Sequence, residues 1–262
     1  MSISLSPRLI VLTAAVFSLL PLVSRGDDVK DRFEARTYAD DAGNKLPYRL
    51  FKPKSYDAKQ KYPLVLFLHG AGERGADNVA QLKHGMNDFS GEAVQAKFPC
   101  FIVAPQCPAG DRWVDVDWGA DKHDMPAKPS PPIRLTLRAI EGLQKEFSID
   151  AQRLYITGLS MGGYGTWDAI QRHPELFAAA VPICGGGDPR YAEKIKNVPI
   201  WAFHGDKDTA VKVERSRDMI AAIKAAGGMP KYTENPGVGH DSWTATYKDA
   251  EMYKWLFAQS RK

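Results

Sequence analysis

The chain has 262 residues and a hydrophobic content of 44%, enough to bury the core of one large α/β domain, and no linker, internal repeat or low-complexity tract divides it. Its 35 basic and 31 acidic residues leave a formal net charge of +4 without a basic stripe, so nucleic acid is not expected as a partner. The 3 cysteines, Cys100, Cys107 and Cys184, form no disulfide framework and fit no zinc spacing. At most one bridge is possible, and Cys100 and Cys184, set in or beside apolar runs, are expected to be buried small side chains.

Residues 1–26 read as a secretory signal. Arg8 supplies the positive start, Leu9 to Val23 is an uncharged run of 15 residues, and Pro21 to Gly26 adds a breaker and small residues. That run is short for a bilayer span, which takes about 20 residues, so no stable membrane anchor is expected. Cleavage after Ser24 or Gly26 would give a secreted or periplasmic product, and no cysteine follows the run as a bacterial lipoprotein would need. Leaving out Arg8 and Arg25 halves the formal net charge. Residues 27–262 are read as a single domain.

Within that domain, Phe33–Tyr38 and Leu46–Phe51 are strand-like runs joined by a turn-rich link, which predicts an antiparallel hairpin at the edge of a mixed sheet. Leu64–Leu68 is apolar at every position, the mark of a strand covered on both faces. It ends in His69-Gly70-Ala71-Gly72-Glu73-Arg74-Gly75, a loop whose glycines let backbone N–H groups turn inward, with Ala71 the main candidate and Gly72 the second. His69 is expected to hold this loop. Glu73 and Arg74 are expected to brace it as an ion pair, and Arg74 is also a candidate substrate contact.

Asp77 to Lys97 carries weak helical patterns, and Phe101–Ala104 is the next buried strand. Pro105 to Pro132 is too long for an ordinary connection, so it reads as a rim or partial lid. Trp113 and Trp118 in it are candidate walls for a substrate, with a satellite packing cluster as the alternative. Ile133, Leu137, Ile140 and Phe147 then recur at helical spacing behind Pro131-Pro132.

Leu154-Tyr155-Ile156-Thr157 runs into Gly158-Leu159-Ser160-Met161-Gly162, and a helical pattern follows to about His173. A chain this rich in glycine carries Gly-x-Ser-x-Gly by chance in roughly one case in eleven, so the five residues alone are weak. Their setting is specific: strand, sharp turn and helix put Ser160 at an apex, with the Met161 N–H at the positive end of the helix. Phe177–Ile183 and Pro199–Phe203 are further strand-like runs, and their alternation with helices predicts a parallel sheet.

His204-Gly205-Asp206-Lys207-Asp208 follows the second of these runs, where parallel sheets gather their functional groups. Asp208 is the candidate acid and Asp206 its rival, while a turn or helix cap is the ordinary role for either. His204 is expected to brace its turn. Lys231–Glu234 is a last short strand, and Gly237-Val238-Gly239-His240-Asp241-Ser242-Trp243 places His240 on a loop able to meet Ser160. Trp243 either walls a pocket or packs beneath His240. Asp249–Phe257 closes the chain as an amphipathic helix. His84, His123 and His173 read as surface or packing residues.

Ser160, Asp208 and His240 stand in the chain order of α/β-hydrolases. With Leu68-His69-Gly70-Ala71-Gly72-Glu73-Arg74-Gly75 and His240-Asp241-Ser242-Trp243, the sequence resembles secreted bacterial serine esterases of the predicted-peptidase, feruloyl-esterase-like (phospholipase/carboxylesterase) group. The resemblance implies an α/β-hydrolase domain over 27–262: a mostly parallel central sheet, helices on both faces and an N-terminal antiparallel edge hairpin. It implies a carboxylesterase that uses no metal or cofactor, with a catalytic set of Ser160, Asp208 and His240, and an oxyanion hole from Met161 and Ala71. Trp113, Trp118, Trp243 and Arg74 would meet an acyl, acetyl or feruloyl ester of a carbohydrate or other small alcohol. A prolyl-oligopeptidase-like peptidase would use the same side chains, and a non-catalytic binding protein could share the fold. A dienelactone hydrolase would want cysteine at the elbow.

Overall fold

The computed structural model describes Met1 and residues 28–261, so the expected signal segment lies outside the described residues apart from Met1. An eight-stranded sheet runs in the order β1-β2-β4-β3-β5-β6-β7-β8. β1 (Glu34–Ala39) and β2 (Lys45–Phe51) form the expected edge hairpin, and β2 continues antiparallel onto β4 (Phe101–Pro105). β3 (Tyr62–Leu68), β5 (Ile149–Leu159), β6 (Ala179–Ile183), β7 (Trp201–Gly205) and β8 (Lys231–Asn235) complete it, and every pairing from β4 onward is parallel.

The helices are α1 (Met86–Phe89), α2 (Glu92–Gln95), α3 (Pro131–Glu146), α4 (Met161–Arg172), α5 (Ala192–Ile195), α6 (Glu214–Ala225), α7 (Trp243–Thr246) and α8 (Ala250–Phe257). The apolar residues of α3 to α6 share one core layer with Leu64, Leu66, Leu68, Leu154 and Ile156, while those of α1, α7 and α8 share the other with Val65, Phe67 and Tyr155. Successive strand residues point to opposite faces, so a strand covered on both sides must be apolar at consecutive positions. This is why Leu64–Leu68 reads as an unbroken run.

Local chemistry sets the helix ends. Ser130 caps α3 by accepting from Ile133 N–H, and Pro131-Pro132 occupy its first turn, where a missing N–H costs no bond. Asp249 caps α8, whose Met252, Tyr253 and Leu256 are buried while Trp255 stays half-exposed. β5 extends further back than its apolar core suggests, because Tyr62 pairs with Ile149 across an irregularity at Tyr62/Leu64. Among the described residues, no helix is long and apolar enough to cross a membrane.

The link between β4 and α3 has no regular element before Ser130, yet it is tied down along its length. Trp113 Nε1 donates to His69 O, Tyr164 Oη to Trp118 O, Arg215 Nη1 to Asp121 O and Arg172 Nη2 to Pro126 O. Met125 N–H donates to the buried Asp188 carboxylate. The segment is a fastened rim over the carboxyl ends of the strands.

The tightest approach in the fold is that of α4 on the strand ends. A Cβ on Gly162 would stand 1.9 Å from Leu68 O, and one on Gly163 would stand 2.3 Å from Ile183 O. Gly162→Ala should therefore cost about 3 kcal/mol, because neither backbone can yield. Gly142→Ala, in α3 with nothing within 4 Å, should stabilise by about 1 kcal/mol through helix propensity. Urea unfolding of both variants checks the opposite signs.

Candidate active site

Ser160 is the cap of α4 and joins it to β5 with φ 54° and ψ −118°, a backbone conformation that ordinary residues avoid. Its N–H donates to Ile183 O at 2.9 Å, which ties the turn to β6. The side chain is left half-buried at the head of the helix.

His240 arrives on the loop after β8. Its Nε2 lies 2.9 Å from Ser160 Oγ and its Nδ1 2.7 Å from Asp208 Oδ2. Three contacts fix that loop: Lys207 N–H donates to Val238 O, Cys184 Sγ donates to His240 O at 3.2 Å, and Asp206 Oδ1 accepts from Gly237 N–H at 2.6 Å. Asp206 thus supports the histidine's loop, and Asp208 meets the histidine. Trp243 stands edge-on to the His240 ring at 5.1 Å and 90°.

Asp208 leads from β7 to α6, and its side chain has 0% exposure. Oδ1 accepts from Ala210 N–H and Val211 N–H, both at 2.9 Å, so the residue also fills the ordinary turn-capping role. Oδ2 faces His240 and, at 3.2 Å, His204 Nε2. That nitrogen is also 3.0 Å from Val211 O. Both neighbours are acceptors, so His204 Nε2 carries the hydrogen and donates. Burial opposes the charge on Asp208; the hydrogen bonds from His204 and His240, then Val211 N–H, outweigh it and hold the carboxyl well below the usual range. His204 Nδ1 lies 2.8 Å from Ser216 Oγ, so His204 braces its turn as expected and engages the carboxylate besides.

Ala71 opens the short 3₁₀ turn Ala71–Glu73, and Met161 opens α4. First-turn N–H groups have no acceptor inside their own helix, so both amides are available to a ligand. A Cβ on Gly70, the residue before Ala71, would lie 3.7 Å from Ser160 Cβ, so the two turns meet at the serine. His69 holds the loop as anticipated: its Nδ1 is 2.6 Å from Gly70 O, and its Nε2 accepts from Cys107 N–H at 2.9 Å. Burial pushes its pKa down from 6.5 to about 4, the nearby Arg74 charge assisting and the Gly70 carbonyl opposing, so the ring is neutral at ordinary pH.

Other expected contacts are placed differently. Trp113 is 0% exposed, with its ring 5.1 Å from His69, so it is core beneath the loop and cannot wall an open cleft. Glu73 and Arg74 form no ion pair: Glu73 Oε1 faces His84 and Lys83, while Arg74 donates to Ala71 O and Asp111 O. Adjacent residues leaving a 3₁₀ turn point apart. Trp118 is half-buried between the guanidiniums of Arg112, at 4.6 Å, and Arg74, at 5.9 Å. Trp243 is 8% exposed and takes the packing role beside His240. All three cysteines are free and buried. Cys184, His204 and Asp208 offer ligand atoms within 4.8 Å of one another, but their hydrogen bonds to the His240 loop, to Ser216 and to the backbone already engage them.

Sheet order, elbow and hydrogen-bonded side chains define an α/β-hydrolase with the side-chain arrangement of a serine hydrolase. A family model described as the prolyl oligopeptidase family matches residues 136–197, the segment that carries Ser160. A solved structure described as a thermostable esterase is 45% identical at a TM-score of 0.83, covering 89% of this chain and 64% of that one. The bifunctional acetylxylan esterase/xylanase XynS20E of Neocallimastix patriciarum is 35% identical over 114 residues, 40% of this chain and 17% of that protein. Carboxylesterase SOBER1 of Arabidopsis thaliana is 26% identical over 195 residues, 67% of this chain and 82% of that protein. The chain thus spans less than two thirds of the length of the first two of these relatives.

The neutral state of His69 makes loop support pH-dependent. A folded-state pKa below the unfolded 6.5 means that the contribution is complete above 6.5 and is lost as pH falls toward about 4. The gap in thermal stability between the wild type and His69→Gln should be widest above neutrality and shrink through that window. Melting curves at several pH values would contradict this if the gap stayed constant.

Proposed function

We propose that this chain is a serine carboxylic-ester hydrolase working through an acyl-enzyme on Ser160. The observation that carries the reading is the unbroken series Asp208–His240–Ser160, with contacts of 2.7 and 2.9 Å and the serine on a strained elbow. In this scheme His240 Nε2 takes the hydroxyl proton as Oγ attacks the ester carbonyl. The oxyanion that develops is met by the N–H groups of Met161 and Ala71. The C–O bond to the alcohol then breaks, and His240 returns the proton to the leaving oxygen. Water repeats the sequence on the acyl-enzyme and releases the acid.

Asp208 stabilises the imidazolium formed in each half-reaction, and His204 keeps that carboxylate ionised and oriented. The substrate class we assign is an acyl, acetyl or feruloyl ester of a carbohydrate or another small alcohol. The likeness to an acetylxylan esterase supports it, although only over the matched segment. Residues 1–26 support an exported, secreted or periplasmic enzyme. The match to the prolyl oligopeptidase family supports a second reading, amide hydrolysis by the same side chains.

Ser160→Ala should lower kcat on p-nitrophenyl acetate by about 10⁴- to 10⁶-fold, and Asp208→Asn by about 10⁴-fold with binding less affected. Retention of more than a small fraction of activity by Ser160→Ala would refute the assignment. Matched ester and amide substrates separate the two readings, with faster ester turnover expected.

A further inference from the structure

Glu73 is a carboxylate that the scheme above does not use. It ends the turn that begins at Ala71 and is only 5% exposed. Gln106 Nε2 donates to its backbone carbonyl at 3.1 Å, which fixes the main chain there. The side chain turns back toward the serine: a Cβ on Gly70 would stand 3.1 Å from Glu73 Oε2 and 3.7 Å from Ser160 Cβ, so both groups border one point. Oε1 has only long ion-pair contacts, to His84 Nε2 at 3.5 Å and Lys83 Nζ at 4.0 Å. Among the described residues, neither carboxylate oxygen receives a hydrogen bond.

Solvent still reaches these oxygens, so a substrate group can displace it and donate to them. The position of Glu73 is unhelpful to the first chemical step, since a negative charge near the oxyanion raises that barrier unless a donor is placed between or beside them. A donor on the substrate resolves this. The surroundings select its kind. Lys83 already flanks Oε1, so an ammonium group would meet like charge. A neutral hydroxyl would not.

We propose that Glu73 accepts a hydrogen bond from a free hydroxyl of the substrate's alcohol part, next to the ester that Ser160 attacks. The site thereby selects esters of polyhydroxy alcohols, such as partly acylated sugars, over esters of simple alcohols. This rests on the ester-hydrolase reading and adds a specificity-determining residue to it.

The test compares a monoacetylated methyl xyloside bearing a free neighbouring hydroxyl with its deoxy analogue. The wild type should prefer the hydroxylated ester in kcat/KM by about 10- to 100-fold, the range of a hydrogen bond to a charged group. In Glu73→Leu that preference should fall to within about 3-fold, and Glu73→Gln, which keeps one acceptor, should fall between the two. Stoichiometric labelling by a serine-directed phosphonate counts the folded sites, and Glu73→Gln serves if the leucine variant does not fold. A wild type indifferent to the hydroxyl, or variants that keep the full preference, would overturn the proposal. A wild type that neither takes the label nor cleaves any acetate would instead bring down the ester-hydrolase reading, and this proposal with it.

Discussion

A carboxylate that solvent does not touch sits at the end of β7, and the loops around it are arranged as its charge requires. Asp208 is ionised although burial opposes ionisation, so donors must approach it from several directions. The backbone of its own turn supplies Ala210 N–H and Val211 N–H, the end of β7 supplies His204, and the loop after β8 supplies His240. One of these donors is also the group that reaches Ser160. The charge is therefore both a reason for the loop geometry and the means of orienting the His240 ring.

The second requirement is steric. Ser160 reaches His240 only because β5 turns into α4 within one residue, and that turn fits only because Gly162 and Gly163 bring α4 against the carbonyls of Leu68 and Ile183. The same closeness delivers the Ala71 loop to the serine, since Leu68 leads into it. His69 and the buried Trp113 then hold the loop from below. Packing of the core and geometry of the site are thus one set of contacts, and a change of one methyl group at Gly162 touches both.

Much of this is legible in the sequence where spacing carries information. Leu64–Leu68 and the run before Ser160 announce buried strands because both faces are covered, and the turn chemistry around Gly158-Leu159-Ser160-Met161-Gly162 admits few alternatives. The order of Ser160, Asp208 and His240 is legible for the same reason, as each follows a strand at the same edge of the sheet. What spacing does not carry is side-chain direction in irregular segments. Trp113 and Trp118 lie in one loop with no period, and one becomes core while the other stays half-buried. Glu73 and Arg74 are neighbours in sequence and find different partners. His204 gives a faint signal, standing four residues before Asp208 in a tight turn, but its bond to the carboxylate depends on where Val211 and Ser216 fold.

In the proposed scheme Ser160 is the activated nucleophile, and Asp208, through His240, activates it. Peptide mapping by mass spectrometry after timed exposure to a serine-directed phosphonate tests it most directly. A single adduct on Ser160 is expected, formed at least about 10³-fold more slowly in Asp208→Asn. An adduct elsewhere, or equal rates in the two proteins, would contradict it.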